Sequence, residues 1–275
     1  MKDICKCLAF ALAAFVAAGA AKASDASAWS DDGHAAVRLI AGSNDNRVLP
    51  LRAGIEIRLQ PGWHTYWRYP GDSGVPPRFD FSGSENLKSA KVLFPAPHIF
   101  RDESGQALVY ENDVIFPVAV TPKQAGNPVR LRLKLDYAVC EKLCVPAEAR
   151  AELTLGAGPS ALDQALQAAE ARVPKEASPA DIGLTARRVN DAPKPLVAVD
   201  FKATGDKPVQ LFVEGPTPEW ALPIPVPAQG APAGHRQFGF ELDGLPPGVD
   251  PKSNFELTFT IVEGGRALEV RTHLD

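Results

Sequence analysis

Two cysteines with three residues between them, in Tyr137-Ala138-Val139-Cys140-Glu141-Lys142-Leu143-Cys144-Val145-Pro146, are the residues of this chain best suited to chemistry. A loop this short lets the two Cα atoms come within the ~4.4–6.8 Å that a disulfide requires. Three chemistries fit the spacing. The first is an inert cross-link, the common fate of paired cysteines in an exported protein. The second is thiol–disulfide exchange: a short loop gains little chain-entropy stabilisation, and tight geometry tends to raise the reduction potential and make the bond labile. The third is soft-metal binding, since two thiolates four apart suit copper(I) or zinc. A metal would need further ligands, and the five histidines (34, 64, 98, 235 and 273) show no ligand spacing.

The other two cysteines, Cys5 and Cys7, lie in a segment that reads as an export signal. Met1-Lys2-Asp3-Ile4-Cys5-Lys6-Cys7 is a charged start, Leu8 to Ala21 is a short apolar run, and Ala21-Lys22-Ala23 is an A-x-A cleavage site. Cleavage after Ala23 removes three lysines against one aspartate and leaves Cys140 and Cys144 as the remaining thiols. No later stretch approaches 18 uninterrupted apolar residues, so the mature chain is expected to be soluble, without membrane insertion, and exported to a periplasmic compartment. The formal charge of −4 over the full sequence argues against a nucleic-acid partner. Four cysteines in 275 residues exclude a disulfide-dense scaffold, while 26 prolines against one methionine suit β-rich domains with many turns.

The elements that must position the pair are strands. Ile55–Gln60, Val129–Tyr137 and Ala147–Leu155 alternate apolar and polar residues, the signature of a strand with one wet face. Val114–Val120 is apolar on both parities and reads as buried on both faces, with Pro117 pushing it toward a sheet edge or bulge. Cys140 and Cys144 carry the polar parity of Val129–Tyr137, which places the sulfurs toward the wet face near the tip of a hairpin with Ala147–Leu155. Residues 24–157 thus read as an antiparallel β-sandwich.

Residues 158–181 read as a helix and linker. The helix is Ala161 to Val173, capped by Ser160 with Asp163 as a weak capping box and stopped by Pro174; Lys175 to Pro179 is the linker. Strands return at Leu196–Phe201, Val209–Val213, Arg236–Leu242, Phe255–Val262 and Ala267–Leu274, so 182–275 reads as a second, smaller β-sandwich, its proline-dense stretch Glu214 to Pro227 an extended loop. The overall class is all-β. Two further segments stand out by composition. Pro61 to Gly74 holds half of the four Trp and half of the four Tyr; Trp63 and Trp67 read as core or turn aromatics, or as an aromatic surface that shields a reactive site. Phe100-Arg101-Asp102-Glu103-Ser104-Gly105-Gln106 reads as a solvated polar turn with paired acids.

Four ordered motifs resemble a known family. Gly62-Trp63-His64-Thr65-Tyr66-Trp67-Arg68 with Pro70-Gly71-Asp72-Ser73-Gly74, then Phe94-Pro95-Ala96-Pro97, Val109-Tyr110 through Phe116-Pro117-Val118, and Cys140 to Pro146 are similar to the periplasmic N-terminal domain of the DsbD/ScsB thiol:disulfide interchange family. The resemblance covers most of 30–157, and the second unit also resembles the larger N-terminal region of the ScsB branch. It implies immunoglobulin-like sandwiches, no cofactor, and Cys140 and Cys144 as the exchanging pair. It further implies a cap loop at Phe100–Gly105 with Asp102 and Glu103 as its acidic pair, and Tyr66 as an aromatic beside the site. Those acids, if close, would raise thiol pKa values by like-charge repulsion and slow idle exchange. The cap departs from the DsbD form, because Ser104 and Gly105 follow the acids where aromatics are expected; shielding would then fall to Phe100 or Tyr66. The family's membrane-embedded and thioredoxin-like domains are not expected in this sequence, which shows no motif of either. The implied partners are therefore thioredoxin-like periplasmic proteins and a separate membrane thiol reductase. A protein-disulfide reductase-like exchange protein is the leading expectation. The alternatives are a non-catalytic binding or scaffold module with a structural disulfide, and copper handling through the reduced thiols.

Overall fold

The computed structural model describes residues 24–274 except 46, 72–73, 103–104, 190–191 and 204. The expected signal segment, with Cys5 and Cys7, and the acid Glu103 lie outside the described residues. No helix among the described residues is long and apolar enough to cross a membrane.

The first unit is built from β1 (Ser30–Asp31), β2 (Ala35–Ala41), β3 (Leu51–Leu59), β4 (His64–Gly71), β5 (Arg78–Asp80), β6 (Leu87–Val92), β7 (His98–Asp102), β8 (Gly105–Glu111), β9 (Asp113–Pro122), β10 (Val129–Cys140) and β11 (Cys144–Leu155). They form two antiparallel sheets, β1-β2-β3-β9-β6 and β11-β10-β4-β8-β7, with β5 also paired to β10. Alternation dictates the packing. In β10 the odd residues from Val129 to Val139 are buried while Arg130, Arg132, Lys134 and Asp136 face outward, and β2, β3 and β9 present Val37, Leu39, Ile55, Ile57 and Phe116 from the opposing sheet. The fold is the all-β sandwich that the patterning implies.

Pro117 does not sit at an edge. Strand β9 lies between β3 and β6, and Pro117 is one residue beyond the Val92–Val118 pair where β6 ends, so an interior strand accommodates it. The helix is also shorter than expected: α1 runs Asp163–Glu170 with Leu162 at its N-cap and no side-chain cap. Ser160 Oγ accepts the Leu162 N–H one turn earlier and donates to the Ala41 carbonyl. The Asp163 carboxylate is taken by the Ser43 N–H and Arg52, with Arg52 also bridging to Glu170. These contacts, with Leu166 fully buried, hold α1 against the first unit.

The stretch expected as a linker is folded into the second unit. Strand β12 (Lys175–Ala177) pairs parallel with the chain's last strand, and α2 (Pro179–Ile182) starts on a capping box in which Ser178 Oγ accepts the Asp181 N–H and the Asp181 carboxylate accepts the Ser178 N–H. Then follow β13 (Thr185–Arg188), β14 (Leu196–Lys202), β15 (Val209–Glu214), β16 (Val226–Pro227), β17 (His235–Glu241), β18 (Glu256–Glu263) and β19 (Arg266–His273). They make the sheets β12-β19-β18-β15 and β13-β14-β17-β16.

Both units share one continuous apolar core. Trp67 of β4 meets Phe212 of β15 with ring centroids 5.8 Å apart, and the Tyr69 hydroxyl donates to the Leu222 carbonyl in the proline-dense loop. That loop is anchored, with Trp220, Leu222 and Ile224 buried. Arg68 reaches Glu214 at 2.7 Å and Glu269 at 2.6 Å. Burial opposes its charge, but the two carboxylates outweigh that and hold the guanidinium firmly ionised. One strand, β4, therefore belongs both to this junction and, at its other end, to the cysteine pair.

Candidate active site

Strands β10 and β11 form the hairpin that the alternation predicts, and Cys140 and Cys144 are the directly opposed pair that closes it. They are joined as a disulfide with their Cα atoms 4.1 Å apart. Parity is as expected: Cys140 shares a face with Ala138, opposite to Tyr137 and Val139 in the core.

The wetness of that face is not as expected. Cys140 is only 2% exposed, whereas Cys144 is exposed, so the two sulfurs differ in access. Where β4 pairs with β10 on one side and β8 on the other, the outer face acquires a small apolar cluster of Tyr66, Ala107, Val109, Ala138 and Cys140, with Phe100 packed on it. The expectation of two solvent-facing sulfurs is corrected for Cys140. The covering residues arrive from β4 and β7, far away in sequence, and no period within β10 reveals them.

Tyr66 closes the site from above β4. Its hydroxyl lies 3.0 Å from Cys140 Sγ and 3.1 Å from Cys144 Sγ. Burial, reinforced by the charge of Asp102, pushes the phenol pKa up, so the hydroxyl keeps its proton at neutral pH and can donate to sulfur. Gly74 makes room for the ring. Its φ is +131°, and a Cβ there would fall 2.4 Å from the Tyr66 ring, so this position accepts glycine alone without displacing the tyrosine.

Phe100 and Asp102 are on β7, opposite Ala107 and Gly105 of β8. Phe100 packs on the Cys140 cluster and stacks, tilted, on His64 at 4.5 Å. Asp102 lines the same cavity of about 130 Å³ as Tyr66, Cys140 and Cys144. The aromatic segment thus divides: Trp67 and Tyr69 enter the core, Trp63 stacks on His34 at 4.2 Å, and Tyr66 turns to the disulfide. The chain neighbours of Cys144, Leu143 in the turn and Val145 in β11, are 79% and 36% exposed.

One member of the site was not singled out from sequence. His64 is the cross-strand partner of Cys140, is 3% exposed, and lines the cavity. The signal was available, because His64 has the parity of Tyr66 in β4. Among the described residues no cluster of three or more His, Cys, Asp or Glu side chains is arranged to hold a metal.

Such an arrangement can perform sulfur exchange: one exposed sulfur for attack, one shielded sulfur as leaving group, and a hydroxyl within reach of both. Comparison with known proteins gives the same direction. Residues 35–156 match the family model described as thiol:disulfide interchange protein DsbD, N-terminal. The crystal structure of the N-terminal periplasmic domain of ScsB from Proteus mirabilis superposes with a TM-score of 0.72 at 19% identity, covering 91% of this chain and 98% of that one. That similarity extends the shared fold across both units. A chimeric titin Z1Z2 structure carrying a decorin peptide aligns over 92% of this chain and 97% of its own at 12% identity, but its TM-score of 0.17 carries no argument. No curated protein sequence matches the chain significantly.

Proposed function

Since residues 35–156 are an N-terminal domain of the DsbD/ScsB thiol:disulfide interchange family, we propose that this protein exchanges electrons with partner proteins through the Cys140–Cys144 disulfide. The observation that carries the reading is the unequal exposure of the two sulfurs. A partner thiolate attacks Cys144 Sγ, the Cys144–Cys140 bond breaks, and Cys140 leaves as a thiolate that accepts a hydrogen bond from the Tyr66 hydroxyl. In the opposite direction the Cys144 thiolate attacks a partner disulfide, and Cys140 then resolves the mixed disulfide. The exposed Leu143 adjoins the point of contact in sequence, and Phe100 with Tyr66 keeps Cys140 from idle reaction. We place this activity in the periplasm, with thioredoxin-like proteins and a separate membrane thiol reductase as the exchange partners.

Single-cysteine variants test the assignment in cells. Cys140→Ser is expected to accumulate mixed disulfides through Cys144, resolved on a non-reducing gel, while Cys144→Ser accumulates few because its remaining sulfur is covered. A reduction potential below about −300 mV, the range of inert structural disulfides, together with no trapped partner in either variant, would overturn the reading.

A further inference from the structure

His64 stands directly across the β4–β10 pairing from Cys140, and the Cβ atoms of such a pair are about 4.5–5.5 Å apart. Its ring is on the disulfide's face of the sheet, held between Phe100 at 4.5 Å and the edge-on Tyr66 ring at 5.5 Å. Its Nδ1 is buried with no hydrogen-bond partner among the described residues. An unsatisfied buried nitrogen costs on the order of 1–3 kcal/mol, and a native structure that keeps one calls for a reason. The oxidised site contains no thiol hydrogen; one exists on Cys140 only after reduction.

Resting on the exchange reading above, we propose that His64 is the general base that takes the Cys140 thiol proton when Cys140 resolves the mixed disulfide. In this step the Cys140 S–H bond breaks and its proton passes to the neutral imidazole. The sulfur electron pair forms the Cys140–Cys144 bond, the bond from Cys144 to the partner breaks, and the partner leaves as a thiolate. Cys140 is oxidised as the partner sulfur is reduced, so no outside oxidant or reductant enters. The imidazolium returns its proton to the departing thiolate or to water.

The charged and titratable groups around His64 are Glu111, its cross-strand partner on β8; His98 on β7, whose Nε2 is hydrogen-bonded to Glu111 at 2.7 Å; Asp102 on β7; Tyr66 on its own strand; and Glu141 and Lys142 in the β10–β11 turn. Burial dominates over the two nearby carboxylates and holds the imidazole below its ordinary pKa, so it is neutral and able to accept a proton at neutral pH.

The test uses the full chain with Cys5→Ala and Cys7→Ala, so that Cys140 and Cys144 are its only thiols, reduced and then mixed with 5,5′-dithiobis(2-nitrobenzoate). The first thionitrobenzoate released reports attack by Cys144, and the second reports closure by Cys140. In His64→Phe and His64→Gln the second phase is expected to slow by about 100-fold near pH 7, the lower end of what a positioned base contributes. Its wild-type decline at acid pH, where His64 becomes protonated, should vanish, while the first phase is unchanged. Circular dichroism reports folding of each variant, and if the Phe variant does not fold, the polar and similarly sized Gln variant carries the test. Closure at the wild-type rate with the wild-type pH profile in His64→Gln overturns the proposal. A wild-type protein that releases no second equivalent would instead overturn the exchange reading beneath it.

Discussion

The sheet β11-β10-β4-β8-β7 has two faces of different character. Its inner face contributes Leu131, Leu133, Leu135 and Val139 from β10, Trp67 and Tyr69 from β4, and Leu108 and Tyr110 from β8 to a core that continues into the second unit. Its outer face is charged along most of β10, where Arg130 and Arg132 pair with Glu152 and Arg132 with Glu85, and it turns apolar at one end, around Cys140. The outer cluster holds five buried residues and one cap. It is too small to be ordered by burial alone and depends on strands that the inner face and the Arg68 junction hold in place. Packing that must not move is concentrated on one face, and the bond that must open is under the thin cover of the other.

Paired truncations break this comparison most sharply. Trp67→Ala removes a fully buried side chain that spans both units and is expected to cost about 3–5 kcal/mol, read as a lower urea midpoint. Phe100→Ala, on the half-buried cap, should move the midpoint far less, yet speed reduction of the disulfide by dithiothreitol, because water reaching Cys140 stabilises the leaving thiolate. A Phe100 variant that loses as much stability as the Trp67 variant, with no gain in reduction rate, would show that the cap is ordinary core. Tyr66→Phe is a finer cut within the outer cluster. It keeps the ring and removes the hydroxyl shared by the two sulfurs. A hydrogen bond to a charged group contributes about 1.5–3 kcal/mol, so stopped-flow reduction should slow on the order of 10- to 100-fold with the fold retained.

How far this contrast was legible in the sequence follows from where the information resides. The alternation in β10 and β11 is local and long, so the strands, the hairpin and the side chosen by Cys140 could all be read from it. The cover over Cys140 is non-local, and a parity argument cannot distinguish an outward face that is wet from one that Phe100 and Tyr66 keep dry. Short elements were lost for a different reason. Strands β5, β12, β13 and β16 have two to four residues, too few to display a period, and β12 is held by pairing with Leu268–Val270 rather than by its own Lys-Glu-Ala composition. The Ser178–Asp181 capping box was hidden behind Pro179, which reads as a break and in fact occupies the first turn of α2. The double role of β4 follows from its two parities, His64 and Tyr66 on one side and Trp67 and Tyr69 on the other, but only the fold shows what each side meets.

The smallest expected effect is on pH, and it separates the two faces electrostatically. Among the described residues His64, on the outer face, is the one buried histidine, and its pKa is depressed by burial below the ordinary 6.5. In the unfolded chain His64 takes up a proton as the pH falls through about 6.5; in the folded protein it resists until lower pH. The unfolded state therefore binds more protons in the window between the two values, and stability contributed by neutral His64 is present above 6.5 and lost as the pH falls through that window. Urea midpoints of the oxidised protein should drop between about pH 7.5 and pH 5.5 by more in the wild type than in His64→Gln, which cannot titrate. The opposite ordering, with the wild type gaining on the variant in acid, would mean that attraction to Glu111 and Asp102 outweighs burial and that the outer cluster is wetter than its packing indicates.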